Sequence, residues 1–305
     1  MIKDGCALGL SGEAAEIAAP RGVVLDVVGE TPAPSTAAAR SASRGAAYAF
    51  EFLKGWADRV FVITLPRATD RQSRIRERLA GLDFRFSNGV DKASLDPAAL
   101  LRDGVYDESR TRAAYRHTRA MTLGEIGAAL AHRHVYEETV ANGWRRVVVL
   151  EDDAVPLDAA LSRLPDALGE LPPGWDLCYL GYLKGEQVSA MRRAKLASYV
   201  ALSRVGLCRW KPHEVPRLRS APFSPSLRRA GLHTHAHAYA VSLEGARKLL
   251  AAQRPIAYRA DFLFSWLILG GAISAYVTAP KLFEQERILG ITPAGAVESY
   301  IHDHD

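Results

Sequence analysis

Three consecutive carboxylates, Glu151-Asp152-Asp153, follow directly on the apolar run Val147-Val148-Val149-Leu150. Carboxylates crowded this closely repel one another, and a bound cation is the usual remedy. Oxygen ligands suit Mg2+ or Mn2+, which commonly complete their shells with substrate phosphates. Such an ion also neutralises charge that builds on a departing diphosphate. A solvated acidic turn would present the same three residues. What favours chemistry is position, because the carboxyl end of a buried strand is where open α/β sheets bind ligands.

Other groups could join them. Glu125 and His132 lie seven residues apart and so fall on one helical face. Glu125 also completes a Thr122–Glu125 capping box, which could be its whole role. Asp261 opens a late helix, where it could act on a substrate proton or serve as a plain N-cap. His233, His235 and His237 alternate, so a strand would turn all three to one side. That pattern reads as a metal cluster or, by preference, as a polar sheet face.

These residues need elements to position them. Residues 60–65 form a continuous β-favouring run ended by Pro66, a pattern expected of a strand buried on both faces. A helix over about 68–80 and a strand over 84–90 complete a parallel βαβ unit. The capping box opens a helix that runs to Asn142-Gly143, a C-terminal stop. Strands are predicted at 146–150, 175–181, 237–241 and 272–277. Helices are predicted at 243–250, capped by Ser242, and at 262–269, capped by Asp261. The alternation predicts an α/β protein with a mainly parallel sheet.

The 305 residues carry a formal net charge of +5, which suits an anionic partner. Residues 1–57, rich in Ala, Gly, Ser and Pro, read as a disordered leader. The domain proper is expected over 58–290, with a basic insertion at 184–230 and a tail at 291–305. The insertion's charge would suit phosphorylated glycolipid or an anionic membrane surface, or be merely solvated. No nucleic-acid motif accompanies it. The three cysteines, Cys6, Cys178 and Cys208, are too few and too scattered for a disulfide framework or a zinc site. With no apolar run of membrane-spanning length, a cytoplasmic protein, peripheral at most to an inner membrane, is expected.

Four blocks in order resemble glycosyltransferase family 25, which includes bacterial lipopolysaccharide sugar transferases and relatives of the collagen galactosyltransferases. They are Val60 to Leu65 with Arg67, Asp70 and Arg71; Leu123-Gly124-Glu125-Ile126-Gly127 with His132 and the acidic triplet; His237-Ala238-Tyr239 with Ser242 and Gly245-Ala246; and Pro255-Ile256 with Asp261. The resemblance implies a GT-A type, Rossmann-like fold, a UDP-hexose donor, Mn2+ or Mg2+, and inversion at the transferred carbon. It further implies an oligosaccharide or glycolipid acceptor such as lipopolysaccharide core. By the same inference Asp153 is the direct metal ligand, with Asp152 or Glu151 at the ribose, a second metal position or a metal-bound water. Thr64, Arg67, Arg71 and His237 would border the donor, Glu125 and His132 would reach the active site, and Asp261 would be the general base.

The sequence departs from the family pattern at Thr64 and Pro66, at Ala131, and at His235-Ala236, where the pattern has Gly-Thr. Two rival readings use the same residues. One is a metal-dependent phosphate-ester hydrolase with Asp158 or Asp176 as further ligands. The other is a catalytically degenerate module that binds glycan or membrane through its basic segment.

Overall fold

A computed structural model of the protein describes residues 36–114, 119–183, 190–207 and 210–293. The first apolar run is β1 (Arg59–Thr64), flanked in parallel by β2 (Arg85–Asn88) and β3 (Arg146–Glu151). Residues 60–64 of β1 and 147–150 of β3 are all buried, as continuous β-favouring runs of mainly apolar residues demand. The later strands are β4 (Ala154–Pro156), β5 (Leu177–Leu183), β6 (Ala221–Pro222), β7 (Leu227–Arg229), β8 (Thr234–Ser242), β9 (Ala275–Thr278) and β10 (Phe283–Gln285). Eight of them form one sheet in the order β2-β1-β3-β8-β5-β9-β7-β6, while β4 and β10 make a separate antiparallel pair.

The expected α/β class holds. Pairing is parallel at β2–β1–β3 and at β5–β9, and antiparallel where β8 enters between β3 and β5 and along the β9–β7–β6 edge. The sheet is therefore mixed. Hydrophobic runs report burial on two faces and carry no information about strand direction.

Helices cover both faces. Phe61, Val149, Tyr179 and Tyr239 meet the helices Leu123–Asn142, Leu243–Ala252 and Ala260–Gly270 on one side. On the other side Val62, Leu150 and Leu180 share a core with Phe50, Leu53 and Ile75. Phe50 and Leu53 belong to a helix, Thr36–Trp56, within the stretch expected to be a disordered leader. Ala49, Phe50 and Leu53 form a short apolar stripe at helical spacing, buried against the sheet layer, and Trp56 stacks on Trp175 at 5.9 Å. The Ala-rich composition that suggested disorder is equally a strong helix former once a core awaits it. The first 35 residues of the leader and all but residues 291–293 of the tail lie outside the described residues.

The helix Leu123–Asn142 opens on the predicted Thr122 capping box and ends on Gly143 at φ 66°. Ser242 caps its helix as expected, accepting from Gly245 N–H. Asp261 does not cap, since its helix begins after Arg259 without a side-chain cap. The described part of the basic segment is folded. It contributes the helix Ala190–Arg204 and the edge strands β6 and β7, with Trp210 and Val215 buried against Leu269. Among the described residues no helix is long and apolar enough to cross a membrane.

Candidate active site

β3 delivers the acidic triplet to the carboxyl edge of the sheet, with Ile63 of β1 in register beside Glu151. Thr64 Oγ1 donates to Asp152 Oδ2 at 2.7 Å, and Arg71 donates through a terminal guanidinium nitrogen to Asp152 Oδ1 at 2.9 Å. Both partners of this ion pair are buried. Burial pushes the Asp152 carboxyl up, and Arg71 and Thr64 oppose that shift without cancelling it.

Asp153 has weaker support. Its Oδ2 accepts from the Gln285 side-chain amide at 3.2 Å, while Oδ1 is buried with no hydrogen-bond partner among the described residues. Burial, together with the neighbouring charges of Glu151 and Asp152, pushes this carboxyl up to about 7. The main chain here is fixed from far along the sequence: Glu286 N–H donates to Asp153 C=O at 3.0 Å, and Arg74 and Arg78 hold the Glu286 carboxylate at 2.8 and 2.6 Å.

Glu151 faces His132 Nε2 at 3.4 Å. Burial alone would raise its carboxyl, but His132, then His237 and His235, hold it below its ordinary value. His132 is in turn braced by the Tyr239 hydroxyl at 2.8 Å, which meets the Tyr136 hydroxyl at 3.1 Å. This buried polar chain fixes the imidazole orientation.

These groups border a cavity of about 210 Å³. Its walls include Thr64, Arg71, His132, Glu151, Asp152 and Asp153, so six of the predicted site residues converge. Gly124, Gly127 and Ala128 supply a small-residue wall from the capped helix. Gly127 is required there, because a Cβ would lie 2.4 Å from the Val90 carbonyl oxygen.

Four predicted residues fall outside the lining. Arg67 is exposed and paired with Asp91. Glu125 is spent on structure: its carboxylate accepts from Thr122 N–H at 2.9 Å, from Arg119 at 2.8 and 2.9 Å, and from Arg259 at 3.4 Å. Burial would raise its carboxyl, and these donors bring it below the ordinary value. His237 is fully buried, with Nε2 3.3 Å from the Phe283 carbonyl oxygen. Asp261 accepts the His235 backbone N–H at 3.1 Å and so stands one residue behind the wall.

In place of His237 the cavity is lined by His235, with Lys92, Gln285 and Arg287. The three alternating histidines do not share a face. The β5–β8 pairing shifts register between Tyr179 and Gly181 and again between Gly181 and Leu183, which breaks the period-2 rule. His233 packs instead between Tyr179 and Tyr182, with ring centroids at 5.4 and 4.9 Å. His235 has φ 66°, and is the one non-glycine residue with positive φ among the described residues. The sequence signal was the departure from Gly at this position.

Among the described residues no three His, Cys, Asp or Glu side chains form a ready-made metal cage. The unpartnered Asp153 Oδ1 fits a divalent ion that takes its remaining ligands from water and phosphate. Asp152, the other carboxylate expected at the metal, already accepts one hydrogen bond on each oxygen, from Thr64 and from Arg71, so it has less capacity left for an ion than Asp153.

Fold and cavity thus define an α/β protein that gathers carboxylates and cations at the carboxyl edge of its sheet. The chain belongs to glycosyltransferase family 25 (LPS biosynthesis protein), whose family model matches residues 57–264. It is 31% identical over 201 residues to inactive glycosyltransferase 25 family member 3 of Homo sapiens, covering 64% of this chain and 29% of that protein. A glycosyltransferase 25 family member of Drosophila melanogaster is 30% identical over 64% of this chain and 28% of its own length. Procollagen galactosyltransferase 1 of Danio rerio is 28% identical over 64% and 29%, respectively. The matches thus span 28–29% of the length of these curated relatives. Asp261 and His237 lie within the family match, whereas Gln285 and Arg287 lie beyond it.

Proposed function

We propose that this chain is an inverting glycosyltransferase of GT-A type that moves a hexose from a UDP-sugar to an oligosaccharide or glycolipid acceptor, with Mn2+ or Mg2+. The observation that carries the proposal is the buried, unpartnered Asp153 Oδ1 inside a cavity that also holds Arg71, Lys92 and Arg287. A divalent ion, when bound, supplies positive charge for the departing diphosphate. Asp153 would hold it, kept in place by Gln285. Arg71 holds Asp152 in a buried ion pair, which gives the donor a rigid wall. His132 orients Glu151 toward the cavity, where its carboxylate can accept ribose hydroxyls. Asp261, held by the His235 amide, is the candidate base for the acceptor hydroxyl.

The proposal extends to galactose or glucose as the hexose and lipopolysaccharide core as the acceptor; the family's name supports lipopolysaccharide, and that of the galactosyltransferase relative supports galactose. Action in the cytoplasm, with the basic residues of 184–230 at an anionic membrane surface, completes the proposal. The hydrolase reading loses its support. Asp176 sits at the amino end of β5, tied to Lys248, and Asp158 is exposed at the start of another helix. One alternative keeps a specific observation in its favour. Asp152 is committed to Arg71 and Thr64, which reduces what the triplet offers an ion, and the human relative is itself named inactive.

UDP release from a panel of UDP-hexoses, with Mn2+ and then with chelator, decides between them. Release that requires both metal and Asp153, tested with Asp153→Ala, supports transfer. Full release from Asp153→Ala would sink the metal assignment, and no release or nucleotide binding from any donor would favour the degenerate module.

A further inference from the structure

His235 is placed at a cost. Its left-handed backbone, φ 66°, crowds a β-carbon that glycine lacks. The conformation is held by the N–H bond to Asp261 Oδ2 and by the shifted β5–β8 register. Such strain persists where the surroundings over-determine it, and it concentrates at ligand clamps. Nothing in the packing calls for the imidazole itself. Its Nδ1 has only the Thr234 hydroxyl at 3.3 Å, and Nε2 has no hydrogen-bond partner among the described residues. Yet His235 lines the cavity that holds the acidic triplet and Arg287, and its imidazole is near enough to Glu151 to act on that carboxyl. Burial, with Arg287 adding to it, shifts the ring toward its neutral form against the pull of Asp261 and Glu151. A neutral imidazole offers one donor and one acceptor, the pair that a sugar hydroxyl matches.

We propose that His235 is a specificity-determining residue that hydrogen-bonds a hydroxyl of a bound sugar, next to the carboxylate that its own backbone N–H positions. This rests on the transferase reading and deepens it. The hydroxyl belongs to the transferred hexose or to the acceptor, and two kinetic arms separate them.

The test compares the wild-type chain with His235→Gly and His235→Asn, the latter a polar side chain that tolerates positive φ. Melting temperature, UDP affinity by calorimetry, and KM and kcat for UDP-hexose and for acceptor are measured. His235→Gly should melt about 2 °C higher or more as strain is relieved. It should bind UDP unchanged and raise KM roughly tenfold for one sugar substrate. A change in the donor KM, seen also in acceptor-free hydrolysis, assigns the contact to the hexose; a change in the acceptor KM assigns it to the acceptor. His235→Asn should recover at least part of the loss. If His235→Gly keeps both KM values within twofold, or melts lower than wild type, the assignment falls while the transferase reading stands. A wild-type chain that neither binds nor turns over any UDP-hexose removes both.

Discussion

At the amino end of β5, buried Asp176 holds Lys248 Nζ at 3.0 and 2.8 Å and accepts the Ser274 N–H at 2.8 Å. At the carboxyl end of β3, Asp153 has one oxygen on Gln285 and another buried with no hydrogen-bond partner among the described residues. Each sheet end thus buries a carboxylate, but only one completes its hydrogen bonding from within the protein. A closed set of partners holds strands and helices together. An open one keeps binding capacity in reserve, at a standing cost to the fold.

Substitutions should separate the two ends. The largest effect is expected from Asp153→Asn, which should lower metal-dependent transfer about 10³-fold, read as kcat/KM for the donor, with no fall in melting temperature. Comparable activity would make the open end no different from the closed one. Asp176→Ala should do the reverse, costing about 3 kcal/mol in urea unfolding while leaving the donor KM within twofold.

A third prediction concerns pH. With its carboxyl pushed up to about 7, native Asp153 keeps a proton that the unfolded chain loses near 3.8. The metal-free protein should therefore lose stability as pH rises from about 4 to about 7 and level off beyond. Asp153→Asn should remove that part of the decline, as unfolding midpoints at pH 5 and 8 in chelator would reveal. The smallest effect belongs to Glu125→Gln. It weakens a third, fully engaged carboxylate by about 1 kcal/mol, and an unchanged donor KM would place that residue with Asp176.

The local features were legible in the sequence. β1 and β3 announced themselves as unbroken apolar runs, the capping box at Thr122–Glu125 formed as written, and Gly143 stopped its helix. Legibility ended where position depends on distant partners. Glu125 reads the same whether or not Arg119 and Arg259 consume its charge. Alternation predicted one face for His233, His235 and His237, and the register shift of β8 between Ala238 and Thr234 redistributed them. Asp261 looked like a helix cap because Asp commonly is one, yet its carboxylate turns to the His235 amide across the fold. Gln285 and Arg287 carried no motif at all. The β4–β10 pairing and the Glu286–Asp153 main-chain bond bring their stretch of chain alongside the triplet.

That pairing has a consequence for how the protein is made. Glu286, whose N–H secures the Asp153 carbonyl, follows the triplet by more than 130 residues. At translation speeds of about 5–20 residues per second, roughly ten seconds pass between the appearance of the one on the ribosome and that of the other. During that interval a nascent chain can pair β1 with β3 but lacks Gln285 and the Arg74–Glu286–Arg78 clasp. The carboxylate proposed to hold the ion thus waits on a late-arriving stretch of chain, and the nascent protein would acquire any affinity for the ion only after most of its sheet is in place.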